Sequence, residues 1–254
     1  MPGQRVDSNL WIRRLQPVPD SQVRLVCFPF AGGAAGYFHW LQALLGSDIE
    51  VLGVQYPGRQ DRRREPVIED IRILADQVYE ALSLWVAQPL AFFGHSMGAV
   101  VAFEVARRFA LHGQRPPLAL FPSGRRAPSR HRVEQLHLAD DAGIAAELRS
   151  VGGTDPLFLT DDELLQMILP AVRGDYRAIE TYRGPISQVV LDVPITTLIG
   201  NRDPKVSIEE ANAWREHTTG KFVLHVLHGG HFYLQDNASE VAGYIKAELA
   251  DHVR

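Results

Sequence analysis

The chain has 254 residues, 46% of them apolar, and a formal net charge of −4. That is enough apolar material for one large core, and α/β folds of this length commonly form a single domain, expected here over 1–254; the acidic balance argues against nucleic acid as a general partner. No apolar run of eighteen residues and no hydrophobic signal core occurs, so a membrane span and secretion are disfavoured, and the lone Cys27 in an apolar run fits a cytoplasmic protein.

Weak alternation predicts an edge strand over 10–15, closed by a turn at Pro17, Pro19 and Asp20. Residues 23–28 read as a buried strand ending at Pro29. The small-sided loop Phe30-Ala31-Gly32-Gly33-Ala34-Ala35-Gly36 follows, then a helix over 37–45. A second buried strand covers 49–55, and an apolar stripe from Ile68 to Trp85 at helical spacing leads to the strand Ala91-Phe92-Phe93. Strand, helix and strand at this spacing make a parallel crossover unit.

Gly94-His95-Ser96-Met97-Gly98 fits the G-x-S-x-G nucleophile elbow, a tight strand-to-helix turn that holds a serine hydroxyl out for attack on a carbonyl. The two glycines leave room where strand and helix pass close to each other. A helix starting near Met97 turns its unpaired N–H groups and positive end toward the place where an oxyanion would form. A Gly-Ser turn joining a core strand to a helix is the bland alternative. In hydrolases of this architecture the loop after an early strand supplies a second oxyanion donor, which assigns the donors to Met97 and Ala31, with Gly32 as the neighbouring possibility. A flexible turn is the alternative for that loop.

The helix after Ser96 is apolar nearly all round, as a helix buried on a central sheet should be. After a strand at 118–122 the alternation of strand and helix breaks. Residues 124–193 carry helical patterns, among them 144–151 and 161–172, interrupted by Gly and Pro, and read as a helical lid inserted over the strand ends. Leu157, Phe158, Leu164, Met167, Ile168 and Leu169 would shape an acyl pocket there, unless they are ordinary amphipathic packing. The sheet resumes with strands at 195–200 and 222–227, and helices at 208–217 and 238–249 complete the wrap.

Ser96, Asp203 and His231 each follow an apolar strand, in the order nucleophile, acid, base. In a parallel sheet the loops after the strands gather along one edge, where residues distant in sequence meet. A serine hydroxyl needs an imidazole to take its proton, and the imidazole needs a carboxylate to fix its tautomer. His231 leads as base because two glycines let its loop turn back over Ser96; His228 and, inside the strand, His225 compete. Asp203 leads as acid, with Asp192 and Asp236 as alternatives.

With these residues in hand, the chain resembles the type II thioesterases, the discrete editing hydrolases that accompany polyketide synthases and nonribosomal peptide synthetases. The likeness runs over nearly the whole length. It rests on Cys27-Phe28-Pro29-Phe30-Ala31-Gly32-Gly33, Gln55-Tyr56-Pro57-Gly58-Arg59, the elbow, Ser123-Gly124-Arg125-Arg126-Ala127-Pro128, Gly200-Asn201-Arg202-Asp203-Pro204 and Gly229-Gly230-His231-Phe232. Position 201 is asparagine where a similar loop often has aspartate, leaving Asp203 as the acid of that turn. The resemblance implies an α/β-hydrolase fold, a mostly parallel sheet flanked by helices with a helical lid, and no metal or organic cofactor. It implies as partner an acylated carrier protein, whose phosphopantetheine thioester would be cleaved by a monomer.

Carriers are typically acidic and their arm carries a phosphate, which suits arginine's fork of donors. Arg59, Arg62, Arg63 and Arg64, with Arg125, Arg126, Arg130 and Arg132, form two basic clusters expected to contribute to the docking mouth. A carboxylesterase or lipase acting on free esters needs the same triad and is the first rival. An acyltransferase and a non-catalytic binding protein of this fold are the others.

Overall fold

The computed structural model describes residues 7–184 and 190–253. In chain order its elements begin α1 (Ser8–Trp11), β1 (Ile12–Arg14), β2 (Val23–Phe28), α2 (His39–Leu45), β3 (Ile49–Val54) and α3 (Ile71–Leu82). They continue β4 (Leu90–His95), α4 (Met97–Leu111), β5 (Leu120–Ser123), α5 (Asp141–Val151), α6 (Pro156–Thr160) and α7 (Asp162–Thr181). The chain closes with β6 (Ile195–Gly200), α8 (Ile208–Asn212), β7 (Phe222–Leu227) and α9 (Ala238–Leu249).

The strands form one seven-stranded sheet in the order β1-β3-β2-β4-β5-β6-β7, parallel throughout except for β1, which runs antiparallel to β3 at the edge. Period-2 alternation sends side chains of the apolar strands to two separate cores. Val26, Phe28 and Phe92 pack toward α3 and α4, while Leu25, Cys27 and Phe93 pack toward α2 and α9. Burial of Cys27 there pushes its thiol pKa up, so it has no thiolate character at neutral pH.

From β2 the chain leaves to β3 on one side, and from β4 it leaves to β5 on the other, so the strand order reverses between β2 and β4. Loops that diverge at such a point leave a crevice at the carboxyl ends of the strands. The loops after β2 and β4, which carry Ala31 and Ser96, are therefore next to each other. Those after β6 and β7 lie along the same edge.

Between β5 and β6, α5, α6 and the first part of α7 bury their own apolar cluster of Ile144, Leu148, Leu159, Leu169 and Val172. Further along α7, Ala178 and Ile179 join the core of the sheet. The Tyr182 hydroxyl, just past α7, donates to buried Glu104 of α4 (2.6 Å), tying the segment's end to the sheet. The insertion expected over 124–193 includes residues 185–189, which lie outside the described residues.

Several local expectations need correction. Residues 10–15 are not one strand: Asp7 caps the short α1 by accepting from Asn9 N–H, Ser8 and Trp11 are buried, and pairing with β3 begins only at Ile12. The helix expected over 37–45 starts as a 3-10 turn, Ala35–Phe38, before α2, and the one expected over 208–217 becomes 3-10 after Asn212. The pattern at 161–172 continues nine residues further, past an internal Pro170, because the buried stripe does not stop at Val172. Gly174 permits that continuation: a Cβ there would come within 2.5 Å of Val67.

Two predictions follow from this packing. A Cβ on Gly98 would sit 2.0 Å from the Phe28 carbonyl oxygen, whereas nothing lies within 4 Å of one on the exposed, helical Gly243. Gly98→Ala is expected to cost about 3 kcal/mol or more, and Gly243→Ala to be neutral or stabilising by up to about 1 kcal/mol, as read from urea unfolding midpoints. His217 packs edge-on to Phe103 and Trp214, and burial pushes its pKa down to about 4. The unfolded chain binds this proton first, so His217 stabilises the fold fully above about pH 6.5 and progressively less as pH falls toward 4. A loss on the order of 2 kcal/mol, discounted for partial solvent contact, is expected, and His217→Gln should remove it from the pH dependence of the urea midpoint.

Candidate active site

Ser96 lies between β4 and α4 with φ 54° and ψ −118°, a conformation that a non-glycine residue adopts only under tertiary constraint. The constraint is close packing on both sides. A Cβ on Gly94 would lie 2.3 Å from the Gly98 carbonyl oxygen, and Gly98 itself is pressed against the end of β2. The serine side chain is thereby pushed out over the crevice.

His231 Nε2 is 3.0 Å from Ser96 Oγ, and His231 Nδ1 is 2.9 and 3.0 Å from the two carboxylate oxygens of Asp203. With Nδ1–H donating a hydrogen bond to the carboxylate, Nε2 is left to accept from the serine hydroxyl. The Asp203 side chain is fully buried and also accepts from Lys205 N–H (2.8 Å). The turn bearing His231 is held by Asn201, whose Oδ1 accepts from Gly229 N–H (3.1 Å), and by Arg202 N–H donating to the Gly229 carbonyl (2.9 Å). Asparagine at 201 thus has a structural place beside the acid.

The alternatives lie elsewhere. His228 is exposed, with Nε2 3.0 Å from Arg202 Nη2, and the His225 ring stacks on Tyr244 at 3.6 Å. Asp192 accepts from the Thr219 hydroxyl, and Asp236 is exposed.

The two N–H groups of Ala31 and Met97 make no hydrogen bond among the described residues, and both residues line one small cavity with Ser96. Gly32, the neighbouring possibility, is already engaged: its N–H donates to Asp175 Oδ2 at 2.8 Å. Of the two candidates in that loop, Ala31 is therefore the one whose N–H is free among the described residues.

Three features were missed from sequence: the places of His95 and Asp175, and the burial of Arg125, a residue expected at the docking mouth. His95 is completely buried, its Nδ1 2.9 Å from Ser123 Oγ, which is in turn 2.7 Å from the Tyr233 hydroxyl. Burial, with His231 beside it, pushes the His95 pKa well down, so this ring stays neutral. Arg125 is buried in the Ser96 cavity with no hydrogen bond or ion pair to its guanidinium among the described residues, and burial lowers its pKa to about 9. Asp175 lies on the buried stripe of α7, and an acid at a position where the periodicity asks for an apolar residue was the available signal.

A cavity of about 470 Å³ opens between the Phe30–Ala34 loop and α6–α7, lined by Phe30, Phe158, Met167, Ile168 and Val172. It shares Phe30, Ala31 and Thr154 with a smaller space that reaches Ser96 and His231. Of the six apolar residues expected to shape a pocket, Phe158, Met167 and Ile168 line it. Leu157 is exposed, Leu169 is turned into the α5–α7 cluster, and Leu164 is not among the lining residues.

The arginine clusters need a larger correction. Arg59 pairs with Asp175, Arg62 with Glu65, Arg126 with Glu134, Arg130 with Glu216 and Arg132 with Glu210, while Arg59, Arg62, Arg125 and Arg126 are buried. Most of these charges brace loops internally; Arg63, Arg64 and Arg132 are the exposed members, and of these Arg132 is the one paired with an acid, Glu210. Among the described residues no group of three or more His, Cys, Asp or Glu is placed to hold a metal, and no helix is long and apolar enough to cross a membrane.

A thioesterase domain model matches residues 23–249. The chain belongs to the thioesterase domain family. Thioester hydrolysis is accordingly its reaction class. This thioesterase is 50% identical over 250 residues to thioesterase PikA5 of Streptomyces venezuelae, covering 98% of this chain and 87% of that one. It is similar to the solved type II thioesterase BorB from the borrelidin biosynthetic cluster, with 47% identity, a TM-score of 0.87, and coverage of 99% and 100% of the two chains. Likewise similar is YbtT, a type II thioesterase from the yersiniabactin NRPS/PKS pathway, at 32% identity, a TM-score of 0.86, and coverage of 96% and 100%. The expected α/β-hydrolase architecture is borne out by these neighbours and by the mostly parallel sheet.

Proposed function

We propose that this thioesterase is an editing enzyme, hydrolysing stalled or aberrant acyl groups from the phosphopantetheine arm of carrier proteins in polyketide or nonribosomal peptide biosynthesis. The observation that carries the reading is the unbroken hydrogen-bonded series from Asp203 through His231 to Ser96, beside two N–H groups that make no hydrogen bond among the described residues. The setting is supported by its similarity to type II thioesterases of borrelidin and yersiniabactin biosynthesis.

In this reading His231 Nε2 takes the hydroxyl proton as Ser96 Oγ bonds to the thioester carbonyl carbon. The carbonyl oxygen becomes an oxyanion facing the N–H groups of Ala31 and Met97. The carbon–sulfur bond then breaks, the imidazolium gives its proton to the leaving sulfur, and the carrier departs with a free thiol. Water next loses a proton to His231 and attacks the acyl-serine; collapse releases the carboxylic acid and returns a proton to Ser96 Oγ. Asp203 holds the imidazole in the required tautomer and stabilises its charged form. The acyl chain occupies the 470 Å³ cavity, with α5–α7 serving as a lid. Chain residues and water account for every proton in this cycle. Buried, unpaired Cys27 suits a monomer working in the reducing cytoplasm.

Mass spectrometry of several acylated carrier proteins should show deacylation by the wild type and none by Ser96→Ala. His231→Ala and Asp203→Asn should each lower turnover about a thousandfold or more with circular dichroism unchanged, and near-wild-type rates would reject either assignment. Comparing one acyl group on a carrier and on a simple alcohol separates this reading from a free-ester hydrolase. Faster cleavage of the alcohol ester would overturn it.

A further inference from the structure

We propose that Asp175 is a positioning residue that, from α7, holds the loop presenting the Ala31 N–H, so that the oxyanion site is complete only when α7 is seated. The inference rests on the roles given above to Ser96 and Ala31.

Asp175 is fully buried and its carboxylate joins three segments. Its Oδ2 accepts from Gly32 N–H (2.8 Å), in the loop after β2, and from Arg59 Nη1 (2.7 Å), in the loop after β3; its Oδ1 accepts from Arg59 Nη2 (2.9 Å). Arg59 is tied back to its own loop through Nε and the Pro57 carbonyl (3.2 Å).

The loop so gripped is a tight turn. Gly33 N–H donates to the Phe30 carbonyl (2.9 Å), and Gly32 has φ +77°, the positive value that a type II turn requires at its third residue. A turn whose third residue is glycine rotates its central peptide at little cost. The acceptor on Gly32 N–H fixes that peptide, which joins Ala31 to Gly32; the Ala31 N–H belongs to the preceding peptide, so the carboxylate acts on that donor indirectly, by holding the Ala31 Cα that the two peptides share. Helix α7 also closes on the turn sterically, since a Cβ on Gly32 would lie 2.7 Å from Val172 Cγ2. Met167, Ile168 and Val172 of the same helix line the apolar cavity. An acyl chain filling that cavity therefore presses on the element that sets the oxyanion donor.

Stability alone accounts poorly for a charge here. Replacing a buried ion pair by apolar residues of similar volume is often neutral or stabilising, while removing one partner strands a buried charge. Asp175→Ala by itself would leave the Arg59 guanidinium stranded, so the test uses Asp175→Leu combined with Arg59→Met.

On a short acyl-N-acetylcysteamine thioester, the double variant should lose about 10- to 100-fold in kcat with KM within about threefold of wild type. Its urea midpoint should be unchanged or higher. A trifluoromethyl ketone that adds to Ser96 should bind more weakly by the factor lost in kcat/KM, while the carboxylic acid product binds as before. Unchanged kcat in the folded double variant would overturn the proposal. So would parallel losses of stability, product binding and kcat, which mark a purely structural pair. Failure of the functional reading is separate, since it shows as a wild-type enzyme that does not cleave the thioester, or one that Ser96→Ala does not disable.

Discussion

The Phe28 carbonyl at the end of β2 lies so close to Gly98 that not even a methyl group fits between them, and the active site depends on that contact. It lets α4 begin directly against the neighbouring strand, which brings Met97 and the loop bearing Ala31 into one small cavity beside the serine. The serine's strained backbone, a conformation costing on the order of 1–3 kcal/mol, persists because α4 is buried along most of its length. Two carboxyl-side loops from the other half of the sheet then need only reach across the same edge to deliver Asp203 and His231.

Around this frame, three buried carboxylates follow one rule. Glu50, Glu104 and Asp175 are each nearly or fully inaccessible, and each accepts from two or more donors that come from different segments. Such clusters add little net stability but fix how segments meet. His95 follows the opposite course. Beside His231 with no carboxylate of its own, it stays neutral.

Much of this was legible in the sequence for identifiable physical reasons. The central strands are runs such as Leu25-Val26-Cys27-Phe28, apolar because both faces of the sheet are covered, and their ends locate the loops in which Ser96, Asp203 and His231 stand. What was illegible depends on partners remote in sequence. Arg59 and Asp175 are 116 positions apart, and Arg132 meets Glu210 across 78, so arginines that look like a basic surface in one dimension are neutralised in three. The short α1 was lost for a related reason. Its buried Ser8, donating to the Ala81 carbonyl and accepting from Trp85, has no signature in the local pattern.

The cluster formed by Ile144, Leu148, Leu159, Leu169 and Val172 is distinct from the two cores of the sheet. A protein with a separate small core over its chamber can change that core's side chains without disturbing the strands below. Natural variation, or a designer, can thus reshape the chamber by repacking this upper layer, leaving the polar relay on the sheet edge untouched. The exceptions are Leu148, which lines the space reaching Ser96 and His231, and Val172, which lines the chamber and closes on Gly32, so a change at either reaches both layers at once.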